Sequence, residues 1–375
     1  MAKQIIIHAG FHKTGTTALQ QSLHDNRDAL QLAGLSYLVV GAGAAAHNSV
    51  LALANRGWGW KNRGRKVIPK KRWTALVGQM RKSAGTAVVS SEFFSELSEK
   101  FVAQVRNDLA NIPVKIVFTL RPLDKLFPSA YTQALKAGST KTYSEWLKVQ
   151  LDDYHAAAKA NFWKRNRHAN VIGRWAKIFG PENVYVLFVD ESQPTLLYSQ
   201  FEGICGLAPQ TLKPAVGKGL NRSLTFSETA LLREVNAIFP QERPWLEYDL
   251  FIRRGLVRPL TNSPVTAGGK VSLLTPAWAA SQIKEIAETE MELLRQLPVN
   301  FMGDIELMRS GKAPIGDNEP AVSIPIEDVA KMIVGYNLKL FSWASPKVAL
   351  KAWLPFAKRR SPKWLRRIGI FGRRK

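Results

Sequence analysis

The chain has 375 residues, with 46% hydrophobic and 22% charged side chains, so it can bury a sizeable core and is not globally disordered. A single cysteine, Cys205, excludes an internal disulfide framework and any cysteine-based zinc site. Lys and Arg exceed Asp and Glu by 24, an imbalance that predicts an anionic partner: phosphate, sulfate, nucleic acid or a membrane surface.

In chain order, Gln4–His8 reads as a short buried strand entering a glycine loop. Helical spacing then runs over 15–33 through Leu19, Leu23, Leu30 and Ala33. Further strands are expected at 35–40, 86–90, 114–120 and 184–189. Helices are expected at 47–54, 72–83, 96–110, 123–137, 142–151 and 168–179. Apolar strands alternating with helices define an α/β protein: a central parallel sheet in three layers, with helices on both faces. Ligands in such folds sit beyond the carboxyl ends of the strands. After about residue 215 the strand pattern fades, and 226–239 and 275–297 look helical. The expected division is a main domain over 1–310 (an α/β core to about 215, then a helical extension), a linker and short helix over 311–340, and a tail over 341–375.

The ends carry their own signals. The opening MAKQIIIHAG has a three-residue apolar run before His8, shorter than a secretory signal, and no window reaches the about 18 apolar residues of a membrane span. The resulting expectation is a cytoplasmic protein. Residues 341–375 hold eleven Lys or Arg and no acid, interleaved with Trp343, Trp353, Phe356, Trp364, Ile368, Ile370 and Phe371. That pattern suits either a segment lying on the inner, anionic face of a membrane or a solvated terminus broken by Pro346, Pro355 and Pro362.

The first strand runs into His8-Ala9-Gly10-Phe11-His12-Lys13-Thr14-Gly15-Thr16-Thr17, and helix follows at once. Glycines allow a tight turn whose N–H groups converge at the positive end of the helix, a site for a phosphate-like anion. Lys13, Thr16 and Thr17 are candidate side-chain donors. Gly10 and Gly15 have the separation of a nucleoside-triphosphate loop, but Thr16 stands where that loop has lysine, which counts against a kinase or ATPase.

Lys13-Thr14-Gly15-Thr16-Thr17 resembles the phosphosulfate loop of the sulfotransferases that use 3′-phosphoadenosine-5′-phosphosulfate (PAPS), in the style of bacterial and carbohydrate members. The resemblance implies a P-loop-like sulfotransferase fold, PAPS as co-substrate and no metal. It also implies that Lys13 stabilises the departing phosphate, and that His12, Lys13, Thr14, Gly15, Thr16 and Thr17 line the nucleotide. His8 and His12 flank the loop as packing or supporting residues. In that family an Arg at a strand end and a Ser eight residues later hold the 3′-phosphate. Arg121 follows the strand 114–120 and Ser129 lies eight residues on, with Pro128 expected to disturb the helix. Asn221-Arg222-Ser223 falls where family members often place another nucleotide-contacting loop, making Arg222 a candidate. Residues 184–191 and 196–207 resemble the late strand and following helix, and Asp190 reads as a loop or structural aspartate.

Sulfuryl transfer to a hydroxyl needs a base. Glu92, just past the strand 86–90, and His47, after a Gly/Ala run, both remain candidates. Residues 56–73 hold eight Lys or Arg, three Trp and no acid, suiting either an acceptor groove for a glycan or glycolipid or a solvated basic loop. Residues 154–168, with Tyr154, His155, Trp163, Lys164, Arg165, Arg167 and His168, form a candidate second wall. The excess charge would also permit a non-catalytic nucleic-acid-binding protein, but no recognised nucleic-acid module is present.

Overall fold

The computed structural model describes residues 2–41, 43–156, 161–214, 222–265, 272–309, 311, 313–318 and 324–343. Asn221, the tail from residue 344 onward, several positions of the 311–326 segment and the side chain of His155 lie outside the described residues.

The strands are β1 (Gln4–His8), β2 (Leu35–Tyr37), β3 (Gly57–Trp58), β4 (Lys66–Val67), β5 (Thr86–Ser90), β6 (Val114–Leu120), β7 (Val184–Phe188) and β8 (Asn300–Met302). Six of them form one parallel sheet in the order β2-β5-β1-β6-β7-β8, and β3 and β4 make a separate antiparallel hairpin. β1 is fully apolar between Gln4 and His8 because it is covered on both faces. Ile5 and Ile7 enter one core with Val89, Ile116 and Phe118, while Ile6 enters another with Val88, Val117 and Leu187. That alternation is the two-residue period of a strand turned to account on both sides.

The expected α/β layering is present, and all five expected strands are found, although the one expected over 35–40 ends at Tyr37. The sixth, β8, has only three half-buried residues at the sheet edge, too short to show a pattern, and it carries the sheet past the expected limit near residue 215. The helix expected over 15–33 is two helices, Thr16–Asp25 and Arg27–Leu32, divided at Asn26, whose amide side chain donates to the Ser22 carbonyl. A separate helical core joins Leu126, Phe127, Tyr131 and Trp146 to Tyr248, Ile252, Ile283 and Met332, so the helical part draws on 123–163 as well as the later chain. The helix Leu123–Lys136 continues through Pro128. The last described helix, Ile326–Trp343, has 18 residues and is not the short helix expected.

The chain leaves β1 toward β2 on one side and crosses after β5 to β6 on the other. The crevice at such a reversal, beyond the carboxyl ends, is where this architecture admits a ligand. Four segments arrive there: the loop after β1, Ser91-Glu92 after β5, Arg121 after β6, and Asp190-Glu191 after β7.

Candidate active site

The loop after β1 is fixed from inside. Thr14 and Thr16 each donate a hydroxyl to the Phe11 carbonyl, at 2.8 and 2.9 Å, and Thr14 Oγ1 lies 2.8 Å from Thr119 Oγ1 of β6. Both threonines are buried, and their hydroxyls, including that of Thr16, one of the expected side-chain donors, are engaged within the loop. Thr17 is exposed at the helix start. Lys13 and Gly15 take φ of 67° and 77°, turning the chain into the helix. Among the described residues, none accepts from the backbone N–H groups of Gly15, Thr16 and Thr17, which stand at the positive end of Thr16–Asp25. Gly10 is required by close approach: a Cβ there would lie 2.6 Å from Thr119 Oγ1 and 2.7 Å from His8 Nε2. His8 is buried against Ser90 Oγ at 2.7 Å, and burial draws its pKa down to about 4 against the pull of Glu92. It is a neutral supporting residue.

Lys13 makes no ion pair among the described residues and its side chain is solvent-accessible. Desolvation lowers its pKa, Glu92 opposes that, and Arg121 adds to it. Those two couplings place Lys13 in the combined field of the candidate base and the second anchor.

Glu92 opens a short 3₁₀ turn (Glu92–Phe94) capped by the Ser91 hydroxyl, which accepts from the Phe93 N–H. Its carboxylate lies 3.5 Å from His47 Nδ1 and 3.9 Å from His12 Nδ1, and accepts from Gln20 Nε2 at 3.2 Å. Burial raises its pKa, but the two imidazoles, its own backbone N–H and Gln20 outweigh that, leaving it lowered. His47 heads the helix His47–Leu53 and shares a 2.9 Å hydrogen bond with Ser91 Oγ; burial lowers its pKa despite Glu92. The two sequence candidates for the base therefore stand side by side.

Beneath them lies Phe93, which packs edgewise against His12, His47 and Trp58 with ring centroids 5.3 to 5.4 Å apart. Behind them lies Glu96, which binds His12 Nε2 at 2.6 Å, Arg56 Nη1 at 2.5 Å and Arg165 Nε at 3.1 Å. Neither Phe93 nor Glu96 was singled out by the sequence.

The basic segment 56–73 divides by role. Trp58 stays partly exposed beside the Glu92 cluster, donating to Asn48 Oδ1 at 2.8 Å. Trp60 packs on Trp245 and Tyr248 under the Arg63 guanidinium, and Trp73 is buried and donates to Asp108. Of the candidate second wall, Trp163 and His168 are core residues, and Arg165 reaches the cluster through Glu96.

Arg121, at the end of β6, pairs with Glu191 after β7: its Nε lies 3.0 Å from Oε1, and its Nη2 also donates there. Nη1 reaches the Lys13 carbonyl at 3.5 Å, tying the second anchor to the first loop. Lys125 Nζ lies 3.4 Å from Glu191 Oε2. Burial raises the Glu191 pKa, but Arg121 and Lys125 prevail and lower it. Lys125, Ser129 and Lys136 fall on one half-buried face of Leu123–Lys136, spaced to share a side of the helix over about 16 Å. Lys136 has no hydrogen bond or ion pair among the described residues, and burial, then Lys13 and Arg253, draw its pKa down to about 8. Arg222 is engaged elsewhere: it grips Glu228 bidentately at 2.6 and 2.7 Å and donates to the Ser263 carbonyl at 2.8 Å, bracing the start of Phe226–Ile238. Asp190 accepts from the Ser192 N–H and hydroxyl, as a loop aspartate should.

No protein-family model matches the sequence, and no curated protein is significantly similar to it. Among solved structures, the sulfotransferase from Alicyclobacillus acidocaldarius is similar at 16% identity and a TM-score of 0.39, over 62% of this chain and 91% of its own.

Proposed function

We propose that the chain is a sulfotransferase that moves a sulfuryl group from PAPS to a hydroxyl of a carbohydrate or glycolipid acceptor. The observation that carries this reading is the meeting of two anion anchors and one carboxylate beyond the carboxyl ends of three adjacent strands, β5, β1 and β6. Lys13 with the free first-turn N–H groups suits the 5′-phosphosulfate. Arg121, one strand over, with Lys125 and Ser129 on the next helix, suits the 3′-phosphate. As the acceptor oxygen bonds to sulfur, its proton passes to Glu92. The bond from sulfur to the bridging oxygen breaks, and Lys13 meets the charge that grows on the departing phosphate. Trp58, exposed above Phe93 and His47, offers an indole face to a sugar ring.

The test is a titration of the full chain with adenosine 3′,5′-bisphosphate, AMP and Mg-ATP, followed by labelled-sulfate transfer onto hydroxyl acceptors. The bisphosphate should bind at least about tenfold tighter than AMP, the worth of one charge-assisted anchor. Arg121→Ala should erase that preference. Glu191→Gln, which frees Arg121, should strengthen bisphosphate binding several-fold. Equal affinity for bisphosphate and AMP, or turnover of Mg-ATP without sulfate transfer, would overturn the reading.

A further inference from the structure

Three later or neighbouring elements pack the end of the helix Leu123–Lys136. The Leu135 carbonyl accepts from Asn236 Nδ2 of Phe226–Ile238 at 2.8 Å and from Tyr248 Oη of Tyr248–Val257 at 3.1 Å. The Ala137 carbonyl accepts from Trp60 Nε1, between β3 and β4, at 2.8 Å. Trp60 is so close that a Cβ at Gly138 would lie 2.8 Å from its ring. Lys136 stands between these two pinned carbonyls, on the face that carries Lys125 and Ser129. The packing half-buries it and brings it no acid of its own. Its charged neighbours are Lys13, Arg253, Glu228 and Arg222. Arg222 already grips Glu228 bidentately, and Asp249 holds Arg253 at 2.7 Å while it also pairs with Arg254. Burial first, then Lys13 and Arg253, favour the uncharged amine at this position. An ammonium so placed is uncompensated until an anion joins it.

The nucleotide has its own anchors for both of its anions. Ser129 lies seven residues before Lys136, about 10 Å along the helix, so the two do not share one phosphate. The acceptor side is nearer. Trp58 stands beside the Glu92 cluster, and Trp60 stands against the end of this helix. They are two residues apart, at most about 7 Å of chain, so the recess of Lys136 flanks a sugar seated at Trp58. We propose that Lys136 is a specificity residue that pairs with a negatively charged substituent of the acceptor, a carboxylate or phosphate on the sugar. This inference rests on the sulfotransferase reading and narrows its acceptor from any hydroxyl-bearing sugar to an acidic one.

The experiment follows acetylation of Lys136 by acetic anhydride in the full chain, read by peptide mass spectrometry, with and without saturating adenosine 3′,5′-bisphosphate. Methyl glucuronide, glucose 6-phosphate and methyl glucoside are the probes. The two acidic sugars should protect Lys136 at concentrations at least about tenfold below any effect of the neutral glucoside, the worth of one charge-assisted hydrogen bond. The bisphosphate alone should leave Lys136 open to the reagent. Lys136→Gln keeps most of the side-chain stem and removes the charge. It should raise the KM for sulfate transfer to methyl glucuronide at least about tenfold with little change in kcat, and Lys136→Arg should recover part of that loss. Equal protection by all three sugars, or protection by none, would overturn the proposal. So would full protection by the bisphosphate alone, or a Lys136→Gln loss of equal size on methyl glucoside, either of which would place Lys136 on the donor. The preference for bisphosphate over AMP separates the two failures. Where that preference holds and the acidic sugars give no protection, this proposal alone falls. Where it is missing, the sulfotransferase reading falls and takes this inference with it.

Discussion

At Glu92, two opposed effects of similar origin are decided by neighbours. Burial alone would raise the carboxyl's pKa and favour its protonated form, which cannot take a proton. His47, His12, a backbone N–H and Gln20 reverse the sign, so the ionised form prevails at neutral pH. His47 is held neutral by burial and has its Nδ1 engaged with Ser91, which suits it to orient the carboxylate. The groups titrate as a coupled set, so the acid limb of the rate belongs to the cluster. Glu92→Gln should lower kcat by about 10²- to 10⁴-fold with bisphosphate affinity nearly unchanged. His47→Asn should cost less than about tenfold. Because the active form is deprotonated and its pKa is lowered, wild-type kcat should stay level through neutral pH. It should fall only as pH drops below the ordinary carboxylate range. A His47→Asn loss as large as that of Glu92→Gln, with an acid limb near the ordinary imidazole pKa, would make His47 the base.

At the scale of the element, the loop after β1 holds Lys13 in a backbone conformation that suits glycine. A side chain at φ of 67° carries a cost, and the Thr14, Thr16 and Thr119 hydrogen bonds hold it there. Lys13→Ala and Lys13→Gly both remove the ammonium and should lose turnover alike. Denaturant unfolding should nonetheless find the glycine variant more stable by about 1 kcal/mol. Equal stabilities would mean that the loop relaxes when the lysine is gone. This loop was legible in the sequence because strand, turn and helix start are contiguous, and a glycine-lysine-threonine run has few other uses. The five expected strands were legible for the same local reason, each lying in a contiguous apolar run. What the sequence hid was convergence. Glu96 is an ordinary surface-type residue until folding brings positions 12, 56 and 165 to it. Glu191 is unremarked until β7 lies beside β6. Lys136 looks like a solvated helix end until burial and Lys13 surround it. Arg222 hid a partner too: its position in the chain says nothing of the bidentate pairing with Glu228 six residues away. The strand β8 escaped because its three residues are all half-buried and follow a long helical stretch without an apolar run of their own, whereas the equally short β2 opens the run LSYLVV.

Across the whole molecule, acids are scarce: 29 against 53 cations. A buried carboxylate in such a chain can bind several basic segments at once, and Glu96 does so. It joins the loop after β1 through His12, the approach to the β3–β4 hairpin through Arg56, and the helix Asn161–Asn166 through Arg165. Its side chain is only 6% exposed, so solvent screens these pairs little. Burial raises its pKa, but His12, Arg165 and Arg56 overcome that and bring it to about 2. A carboxyl whose folded pKa is depressed contributes its stability above the unfolded value near 4.5 and loses it as pH falls toward 2. The shift corresponds to on the order of 3 kcal/mol at neutral pH. Glu96→Gln should therefore unfold at lower denaturant than wild type by about that amount at pH 7. The gap should shrink between pH 4.5 and about 2, where the wild-type carboxyl is itself neutralised. A gap that stays constant down to pH 2 would mean that Glu96 acts through packing and not through charge. A gap absent at pH 7 would mean that the three basic segments hold their places without it.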